Sequence, residues 1–314
     1  MPRLAVVLNP TKPVADTVRA AVAAAESAHG WEQSLWYETT VEDPGVGMAR
    51  AAVEDGADVV LAVGGDGTVR AVAEGMKDSG VPLAICPQGT GNLLARNLGL
   101  PLDDVVGAVE LAFGGVDRPI DLAVVALRRI DGTRDFRTYT VMAGVGLDAQ
   151  IMSNTDEQLK ARVGMLAYVQ TGAVEVGRNR RMQVGYRIEG GRQRRTRAQM
   201  VLVGNCGSIG YNVFLMPDAS LDDGRLDLMM AKPASLVGWL VVGWRVFVDY
   251  ALVRRLRRKA GRREDRFTSY IQATQLTLEF DEPEQIELDG DHFGQVTAAH
   301  FAVAPGSLVV KVRP

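Results

Sequence analysis

Residues 57–75, ADVVLAVGGDGTVRAVAEG, predict a buried strand, a glycine-rich turn and a helix in direct succession. The strand is a valine-rich apolar run, which is typical of a parallel sheet covered on both faces. Ligands of such sheets bind beyond the carboxyl ends of the strands, where this turn falls. The turn therefore predicts a ligand site; the alternative is a plain strand-to-helix turn with an aspartate at its apex.

The chemistry of the turn, Gly64-Gly65-Asp66-Gly67-Thr68, suits a phosphate. Its three glycines let backbone N–H groups approach a phosphate without interference from a Cβ atom. We expect Thr68 to cap the following helix, whose positive end favours an anion. Asp66 indicates Mg²⁺, because a carboxylate among phosphate-binding amides needs a cation between the two. The spacing matches neither the Walker-type loop nor the G-x-G-x-x-G fingerprint.

A second glycine-rich loop follows the next predicted strand, as Pro87-Gln88-Gly89-Thr90-Gly91-Asn92. It has the same strand, loop and helix context as the first. Loops at the ends of neighbouring parallel strands face one crevice. The two loops together therefore predict both sides of a nucleoside triphosphate site.

Strands and helices alternate up to about residue 122, which predicts an α/β architecture with a parallel sheet. Short β-rich runs separated by Gly and Asp turns follow, as in an antiparallel β-sandwich, with accessory helices at about 157–176 and 235–260. These predicted strands include residues 137–142, 275–280, 285–288, 300–303 and 308–312. We therefore expect the fold class α/β plus β, with an α/β domain at the N-terminus and an antiparallel β-sandwich domain after it. A nucleotide-binding domain would cover residues 1–122, joined by a returning segment at about 300–314, and a β-sandwich substrate domain would cover residues 123–299.

The composition excludes several classes of protein. The 314 residues are 47% hydrophobic and 23% charged, as in a folded soluble chain, and the net charge of -3 argues against a nucleic-acid partner. Two cysteines cannot form a disulfide framework, which indicates a reducing cytoplasm, and three scattered histidines disfavour a histidine-ligated zinc site. The most apolar long segment, residues 236–253, contains Arg245 and Asp249, so it is not predicted to span a membrane.

Basic residues concentrate in two late segments. Residues 178–197 hold eight arginines, and residues 254–263, RRLRRKAGRR, hold seven basic residues and no acid. The second cluster follows an apolar stretch with aromatic side chains at Trp239, Trp244, Phe247 and Tyr250. Such clusters favour peripheral contact with an anionic membrane. A solvated hairpin, a solvated helix end and a buried core helix are the alternatives.

Four motifs in order, GGDGT, PQGTGN, PDASLDDGRLDL and LDGD, resemble the catalytic domain of the diacylglycerol kinase family. The resemblance spans residues 8 to about 292 and implies an N-terminal domain like those of NAD kinases and phosphofructokinases. It also implies transfer of the ATP γ-phosphoryl group to a lipid hydroxyl, with ATP in a cleft between the domains. Diacylglycerol, giving phosphatidic acid, is the favoured acceptor.

The resemblance assigns nucleotide contacts position by position. Asn9 matches the family's opening N-P, with Lys12 nearby, and Thr40 matches a nucleotide-contacting threonine although the usual G-D-A after it is missing. The remaining implied contacts lie in the two glycine-rich loops: Gly64, Gly65, Asp66, Gly67, Thr68, Arg70, Gly89, Thr90 and Asn92. Leu93 stands where some bacterial members have an aspartate, so a carboxylate role there is absent.

The resemblance also implies two Mg²⁺ sites. Asp66 would contact the active-site ion through water. A structural ion would be held by the Asp223 side chain and the carbonyls of Ser220 and Arg225. Without the resemblance, the Asp-Gly pair at 223–224 reads as an ordinary turn into a strand.

The implied catalytic base lies in Glu287-Leu288-Asp289-Gly290-Asp291, which resembles the family's D-G-E. Asp291 replaces the glutamate, and its side chain is shorter by one methylene. Asp289 is the neighbour that could share or assume the role. Asp121 falls where the family places an acidic residue near the inter-domain cleft.

Two other functions stay open at this point. One is an NAD kinase-type enzyme with a soluble substrate, although that family shows N-E or N-D where this chain has Asn92-Leu93. The other is a lipid-binding or regulatory homologue with weak catalysis. The sequence does not separate diacylglycerol from a sphingoid base, a monoacylglycerol or phosphatidylglycerol. It also leaves the oligomeric state open, a homodimer being one alternative.

Overall fold

The computed structural model describes residues 1–146, 181–208, 215–216, 218–233, 235–244, 263–264 and 266–314. The chain forms two compact units. The first comprises Met1–Leu122, Thr138–Thr140 and Ala304–Pro314, and the second comprises Ala123–Arg137 and Val141–Val303. In the described part of the chain, no helix is both long and apolar enough to cross a membrane.

The first unit alternates strands and helices. Its elements are β1 (Arg3–Leu8), α1 (Ala15–His29), β2 (Glu32–Glu38), α2 (Val46–Glu54), β3 (Val59–Gly64), α3 (Asp66–Met76), β4 (Pro82–Pro87), α4 (Leu93–Asn97) and α5 (Val105–Gly114). The strands pair in parallel in the order β2-β1-β3-β4. All six residues of β3 are buried, as its continuous apolar run predicts. The core packs Leu4, Val6 and Leu61 against Val18 and Val22 of α1.

The second unit is built mainly from antiparallel strands. Its elements are β7 (Met142–Gly146), β8 (Met182–Ile188), β9 (Arg194–Ala198), β10 (Met200–Gly204), β11 (Leu226–Ala231), α6 (Leu236–Trp244), β12 (Arg263–Glu264), β13 (Thr268–Ala273) and β14 (Gln275–Leu288). It also contains parts of β5 (Val116–Arg128), β6 (Arg134–Tyr139) and β15 (Asp291–Val312), whose remaining residues belong to the first unit. The strands are hydrogen-bonded to their neighbours in two series. The first series is β12-β13-β11-β10-β7-β14, and the second is β9-β8-β14-β15-β5-β6.

Strand β14 belongs to both orders because it changes partner along its length. Residues 276–280 pair with β8, and residues 286–288 pair with β7. Its pairing with β15 shifts between Glu279 and Glu284, around Pro283, which cannot donate a ladder hydrogen bond. Such an irregularity lets one strand turn the corner between the two sheets of a sandwich.

The architecture confirms the predicted fold class, whereas several predicted strand limits are wrong. The predicted runs 275–280 and 285–288 are one strand, as are 300–303 and 308–312, because each bends through an irregular point instead of ending there. The predicted strand 137–142 is broken at Thr140, between β6 and β7. Helix α5 was not predicted. The predicted helix at 157–176, and most of the one at 235–260, lie outside the described residues.

Candidate functional site

Four predicted contact segments lie at the carboxyl edge of the parallel sheet. Asn9 follows β1, Thr40 follows β2, Gly64 ends β3 and Gln88 follows β4. The Asn9 N–H donates to the Val63 carbonyl at 3.0 Å, so the ends of β1 and β3 are tied together. Asn9 Oδ1 accepts hydrogen bonds from the N–H and hydroxyl of Thr11, and the Lys12 N–H bonds to the Asn9 carbonyl at 3.2 Å. This edge is where ligands of open parallel sheets bind.

The first glycine-rich loop is compact because Gly64 and Gly65 have no side chain at its closest contacts. A Cβ atom on Gly64 would lie 2.5 Å from the Thr68 Cβ, and one on Gly65 would lie 3.3 Å from the Gly89 Cα. Helix α3 begins at Asp66 with Gly65 as its N-cap, and no side chain caps it. The prediction that Thr68 caps this helix is therefore wrong: the helix starts earlier, and Thr68 packs under Gly64 inside the first turn. Arg70 is buried in the same helix.

Asp66 joins the two glycine-rich loops. Its Oδ2 accepts the Asn92 N–H at 2.8 Å, and its Oδ1 accepts the Leu93 N–H at 2.6 Å. A carboxylate oxygen has two lone pairs and can accept more than one hydrogen bond, a water molecule included. The arrangement fits the expected contact with Mg²⁺ through water. It also shows why Leu93 is tolerated, since this position contributes its backbone amide to Asp66.

The second loop is closed by Asn92, whose φ of 49° places it in the left-handed region that asparagine tolerates. Asn92 Oδ1 accepts the Gly89 N–H, and Nδ2 donates to the Gly89 carbonyl, both at 2.8 Å. Arg96 Nε donates to the Gly91 carbonyl at 2.7 Å. Thr90 is exposed at the tip of this braced loop.

Two further predicted residues of the first unit have defined partners. Thr40 is exposed, and its hydroxyl accepts the Asp43 N–H at 3.1 Å in the loop after β2. Asp121 is buried, and its Oδ1 accepts the Gly306 N–H at 2.8 Å. Asp121 therefore fastens the returning C-terminal segment to the first unit.

In the second unit, Asp289 and Gly290 form the two-residue turn between β14 and β15. Both have positive φ, 50° and 88°, as a type I′ turn requires and as the Asp-Gly pair favours. Asp289 is 4% exposed, and its Oδ1 accepts the N–H groups of Val141 and Met142, each at 2.9 Å. Its carboxylate therefore holds the backbone at the start of β7.

Asp291, the implied base, is exposed at the first position of β15. The next residue, His292, pairs across the hairpin with Glu287, and His292 Nδ1 lies 3.0 Å from Glu287 Oε1. Glu287 is buried, whereas His292 is half-exposed. Consecutive strand residues point to opposite faces. The hairpin thus offers two proton-accepting groups on opposite faces, and only Asp291 was anticipated.

The predicted structural metal loop runs from Ser220 to Arg225. The Ser220 hydroxyl donates to Asp222 at 2.7 Å, and Asp223 Oδ1 accepts the Arg225 N–H at 3.1 Å. Asp223 is exposed, and Gly224 adopts a left-handed φ of 68°. Within the described ranges no three His, Cys, Asp or Glu side chains converge on one metal position. Any cation here would therefore depend on backbone carbonyls besides the Asp223 carboxylate.

Asp227 supplies an independent reason for a cation in this loop. It is 0% exposed, its Oδ1 accepts the Tyr270 hydroxyl and Gln272 Nε2, and its Oδ2 is buried without a hydrogen-bond partner among the described residues. Burial raises the pKa of Asp227 to about 7, helped by the negative charges of Asp223 and Asp218. A nearby cation would stabilise these three carboxylates, so the residues present fit Mg²⁺.

Tyr270 and Asp227 were not singled out by the sequence analysis. Tyr270 donates to Asp227 and accepts the Asp218 N–H at 3.3 Å, so it anchors the acidic loop to β13. Burial and the Asp227 charge raise the pKa of Tyr270, which keeps its hydroxyl protonated as a donor. One signal was available: in LDLMMA of β11, an acid stands alone within an apolar strand.

Two family models together match most of the chain. The diacylglycerol kinase catalytic domain matches residues 3–125. The YegS C-terminal NAD kinase beta sandwich-like domain matches residues 140–312.

Curated relatives and solved structures agree with this assignment. A protein of Pseudomonas aeruginosa named "Probable lipid kinase YegS-like" is 31% identical over 94% of this chain and 89% of its own length. A diacylglycerol kinase of Bacillus subtilis is 28% identical over 85% and 82%. A diacylglycerol kinase structure from Bacillus anthracis has a TM-score of 0.69 at 17% identity, covering 99% of this chain and 97% of that one. Yeast NADH kinase shares the fold, with a TM-score of 0.55 at 11% identity, covering 100% and 84%.

Replacing Asp66 by asparagine should loosen the second loop. An amide has one accepting oxygen, so either the Asn92 or the Leu93 N–H would face an NH₂ group. We expect a loss of about 1–3 kcal/mol in the free energy of unfolding. Amide exchange at residues 92 and 93 should also be faster, as measured by mass spectrometry. Asp103→Asn, an exposed change in the same unit, is the control, and equal exchange in both variants would contradict the role of Asp66.

Mg²⁺ should raise the melting temperature through the Ser220–Arg225 loop. A ligand that binds only the folded state adds about 2.7 kcal/mol to the free energy of unfolding when its free concentration is about 100 times its dissociation constant. Asp223→Asn should remove most of this gain, whereas Asp222→Asn, one residue away, should keep it. Calorimetric melts with and without MgCl₂ measure the effect. Equal gains in Asp223→Asn and wild type would place the ion elsewhere.

Proposed function

This chain belongs to the family of diacylglycerol kinases and YegS-like lipid kinases, and we propose that it uses Mg²⁺-ATP to phosphorylate the hydroxyl of a membrane lipid. The observation that carries the proposal is the pair of glycine-rich loops joined by Asp66 at the strand ends. Phosphoryl transfer depends mainly on positioning and charge neutralisation, which backbone amides supply when they are held rigidly.

We propose that the nucleotide is held by residues of the first unit. The backbone amides of the Gly64–Thr68 loop and the Gln88–Asn92 loop would bind phosphate oxygens. Asn9, Lys12, Thr40 and Arg70 belong to the same set by resemblance. When bound, Mg²⁺ would neutralise charge on the transferring phosphate. Asp66 would orient it through water, and the Ser220–Arg225 loop would hold a second, structural ion.

The proposed reaction moves one proton and one phosphoryl group. The lipid hydroxyl oxygen bonds to the γ-phosphorus as the bond from that phosphorus to the β–γ bridging oxygen breaks, and ADP leaves. The Asp291 carboxylate takes the hydroxyl proton. Its exposed position beside a tight turn supports this role, because the turn fixes its backbone. Asp289 is unsuited to the role of base, since it is buried and its Oδ1 already accepts two backbone N–H groups.

His292 is a second candidate proton acceptor. Its contact with buried Glu287 orients the ring, as a carboxylate orients a catalytic histidine. Asp291 and His292 project to opposite faces of the hairpin, so one substrate cannot use both.

Diacylglycerol is the proposed acceptor, with phosphatidic acid as the product, because the Bacillus subtilis relative and the matching family model are both named for diacylglycerol kinase. We place the enzyme in the cytoplasm, peripheral at the inner face of the membrane. Arginine side chains of the hairpin β8–β9 support this placement, since five of them are exposed: Arg187, Arg192, Arg194, Arg195 and Arg197. Arg178 and Arg180 lie outside the described residues, as does the second basic cluster except for the backbone of Arg263.

The aromatic stretch before the second cluster divides into two roles. Trp239 Nε1 donates to Gln199 Oε1 at 2.8 Å, which anchors helix α6 inside the second unit. Trp244 is 63% exposed at the end of that helix and stays available for an interface. Phe247 and Tyr250 lie outside the described residues.

A lipid panel tests the proposal directly. The purified chain would be incubated with labelled ATP, MgCl₂ and mixed micelles containing diacylglycerol, a monoacylglycerol, a sphingoid base or phosphatidylglycerol. NAD serves as the soluble control, because the fold is shared with an NADH kinase. We expect labelled phosphatidic acid and no labelled NADP. Phosphorylation of NAD alone would contradict the proposal, as would no transfer to any lipid.

Removing the Asp291 carboxylate, which accepts the hydroxyl proton, should slow the chemical step. General bases contribute about 10²–10⁴-fold, so Asp291→Asn should lower kcat at least about 100-fold with little change in the KM for ATP. His292→Gln should keep most of the turnover. The reverse pattern would move the base to His292, and loss of turnover in Asp289→Asn alone would move it to Asp289.

A further inference from the structure

The hairpin between β5 and β6 combines arginines with exposed apolar side chains. Residues 128–137 read RRIDGTRDFR, four arginines and two aspartates, and we call them the arginine hairpin. The Gly132 N–H bonds to the Arg129 carbonyl at 3.1 Å, and the Arg129 N–H bonds to the Thr133 carbonyl at 2.9 Å. Gly132, at φ 85°, takes the left-handed position of a three-residue hairpin loop. The tip is therefore a defined turn.

Two large apolar side chains project from this hairpin into solvent. Ile130, within the turn, is 61% exposed, and Phe136 on β6 is 69% exposed. Alternation along β6 places Arg134 and Phe136 on one face and Asp135 and Arg137 on the other. Arg134 is exposed, whereas Asp135 and Arg137 are half-buried. The outer face thus pairs an aromatic side chain with a cation.

The aspartates of the hairpin do not neutralise that outer face. Asp135 pairs with Arg129 at 2.6 Å and with Arg137 at 3.1 Å on the inner side. Asp131 accepts hydrogen bonds from the N–H and hydroxyl of Thr133 at 2.9 and 2.7 Å. Arg128 and Arg134 are both exposed, and neither has a carboxylate pair among the described residues. The hairpin therefore presents positive charge beside its apolar side chains.

The hairpin is fastened to the strand that begins with Asp291. Arg129 Nη1 donates to the Phe293 carbonyl, two residues beyond Asp291. Arg128 Nε donates to Thr297 Oγ1 at 3.1 Å on the same strand. Through these two hydrogen bonds the arginine hairpin is connected to β15, the strand that begins with the candidate base Asp291.

We propose that the arginine hairpin docks the protein on an anionic lipid bilayer. Ile130 and Phe136 enter the interfacial region of the bilayer, and Arg128 and Arg134 contact lipid phosphates. Apolar and aromatic side chains beside basic residues have this amphipathic character at membrane surfaces. The inference rests on the proposed function, since a lipid kinase must meet its acceptor at a bilayer, and it assigns the contact to a particular element.

Vesicle binding by the full chain tests the docking surface. Partition onto phosphatidylcholine vesicles with and without phosphatidylglycerol would be measured by sedimentation. The double variant Ile130→Ser, Phe136→Ser should bind anionic vesicles about tenfold more weakly, because it removes two apolar side chains that would be partly buried. Arg134→Gln should lose about fivefold on anionic vesicles alone, since a basic residue at a membrane surface contributes about 1 kcal/mol.

Matched changes in the first unit are the controls. Val106→Ser with Val116→Ser removes two other exposed apolar side chains, and Arg50→Gln removes an exposed arginine. Both should bind vesicles as the wild type does, and unchanged melting temperatures would show that all variants are folded. Activity on micellar diacylglycerol is measured in parallel. An inactive wild type would contradict the proposed function, whereas the vesicle comparison decides the docking surface by itself.

One result would overturn the docking surface, namely wild-type affinity of the double variant for anionic vesicles. If the same variant also changes from dimer to monomer in light scattering, the arginine hairpin is an interface between two copies of the chain instead, since β6 is an edge strand paired with β5 alone among the described strands.

Discussion

The carboxylate of Asp66 holds the two glycine-rich loops in one arrangement, and the candidate nucleotide site depends on it. Its oxygens bind consecutive amides, Asn92 and Leu93, at the start of α4. This brings the loop backbones so close that a Cβ on Gly89 would lie 2.8 Å from the Gly65 Cα. The glycines are therefore required by the contact between the loops as well as by access for a phosphate. A negative charge at this point also stabilises the positive end of the short helix.

Two other acids that the resemblance singles out, Asp289 and Asp121, serve the backbone in the same way. Asp289 accepts two amides at the start of β7, and Asp121 accepts the Gly306 amide. A buried carboxylate that receives backbone N–H groups satisfies donors that would otherwise be costly to bury. An acid within a motif is thus weak evidence of catalysis unless it is exposed, as Asp291 is. Burial separates the two kinds of acid, and burial cannot be read from the motif itself.

The sequence predicted the first unit closely because its signals are local. Continuous apolar runs, glycine stops and loop residues each occupy a few adjacent positions, and β3 and the start of α3 fall within the stretch 57–75 that predicts them. The second unit was harder, since its pairing depends on distant partners. Nothing local shows that β14 continues through Pro283 with a new neighbour, or that Tyr270 meets Asp227. The Ser220–Arg225 loop is predicted to bind a metal only through the resemblance, because an Asp-Gly pair has the same local signal as a plain turn.

The two departures from the family pattern do not weigh equally against catalysis. At Leu93 the structure uses the main chain, whose N–H reaches Asp66 whatever the side chain is. At Asp291 the side chain itself would have to act, and it is one methylene shorter than the family's glutamate. The type I′ turn fixes the backbone at Asp289 and Gly290, so the shorter side chain starts from a defined position. Whether this chain is a weakly catalytic homologue therefore depends on whether the exposed Asp291 carboxylate reaches the lipid hydroxyl. If it does not, His292, oriented by Glu287, is the neighbouring group that would accept the proton.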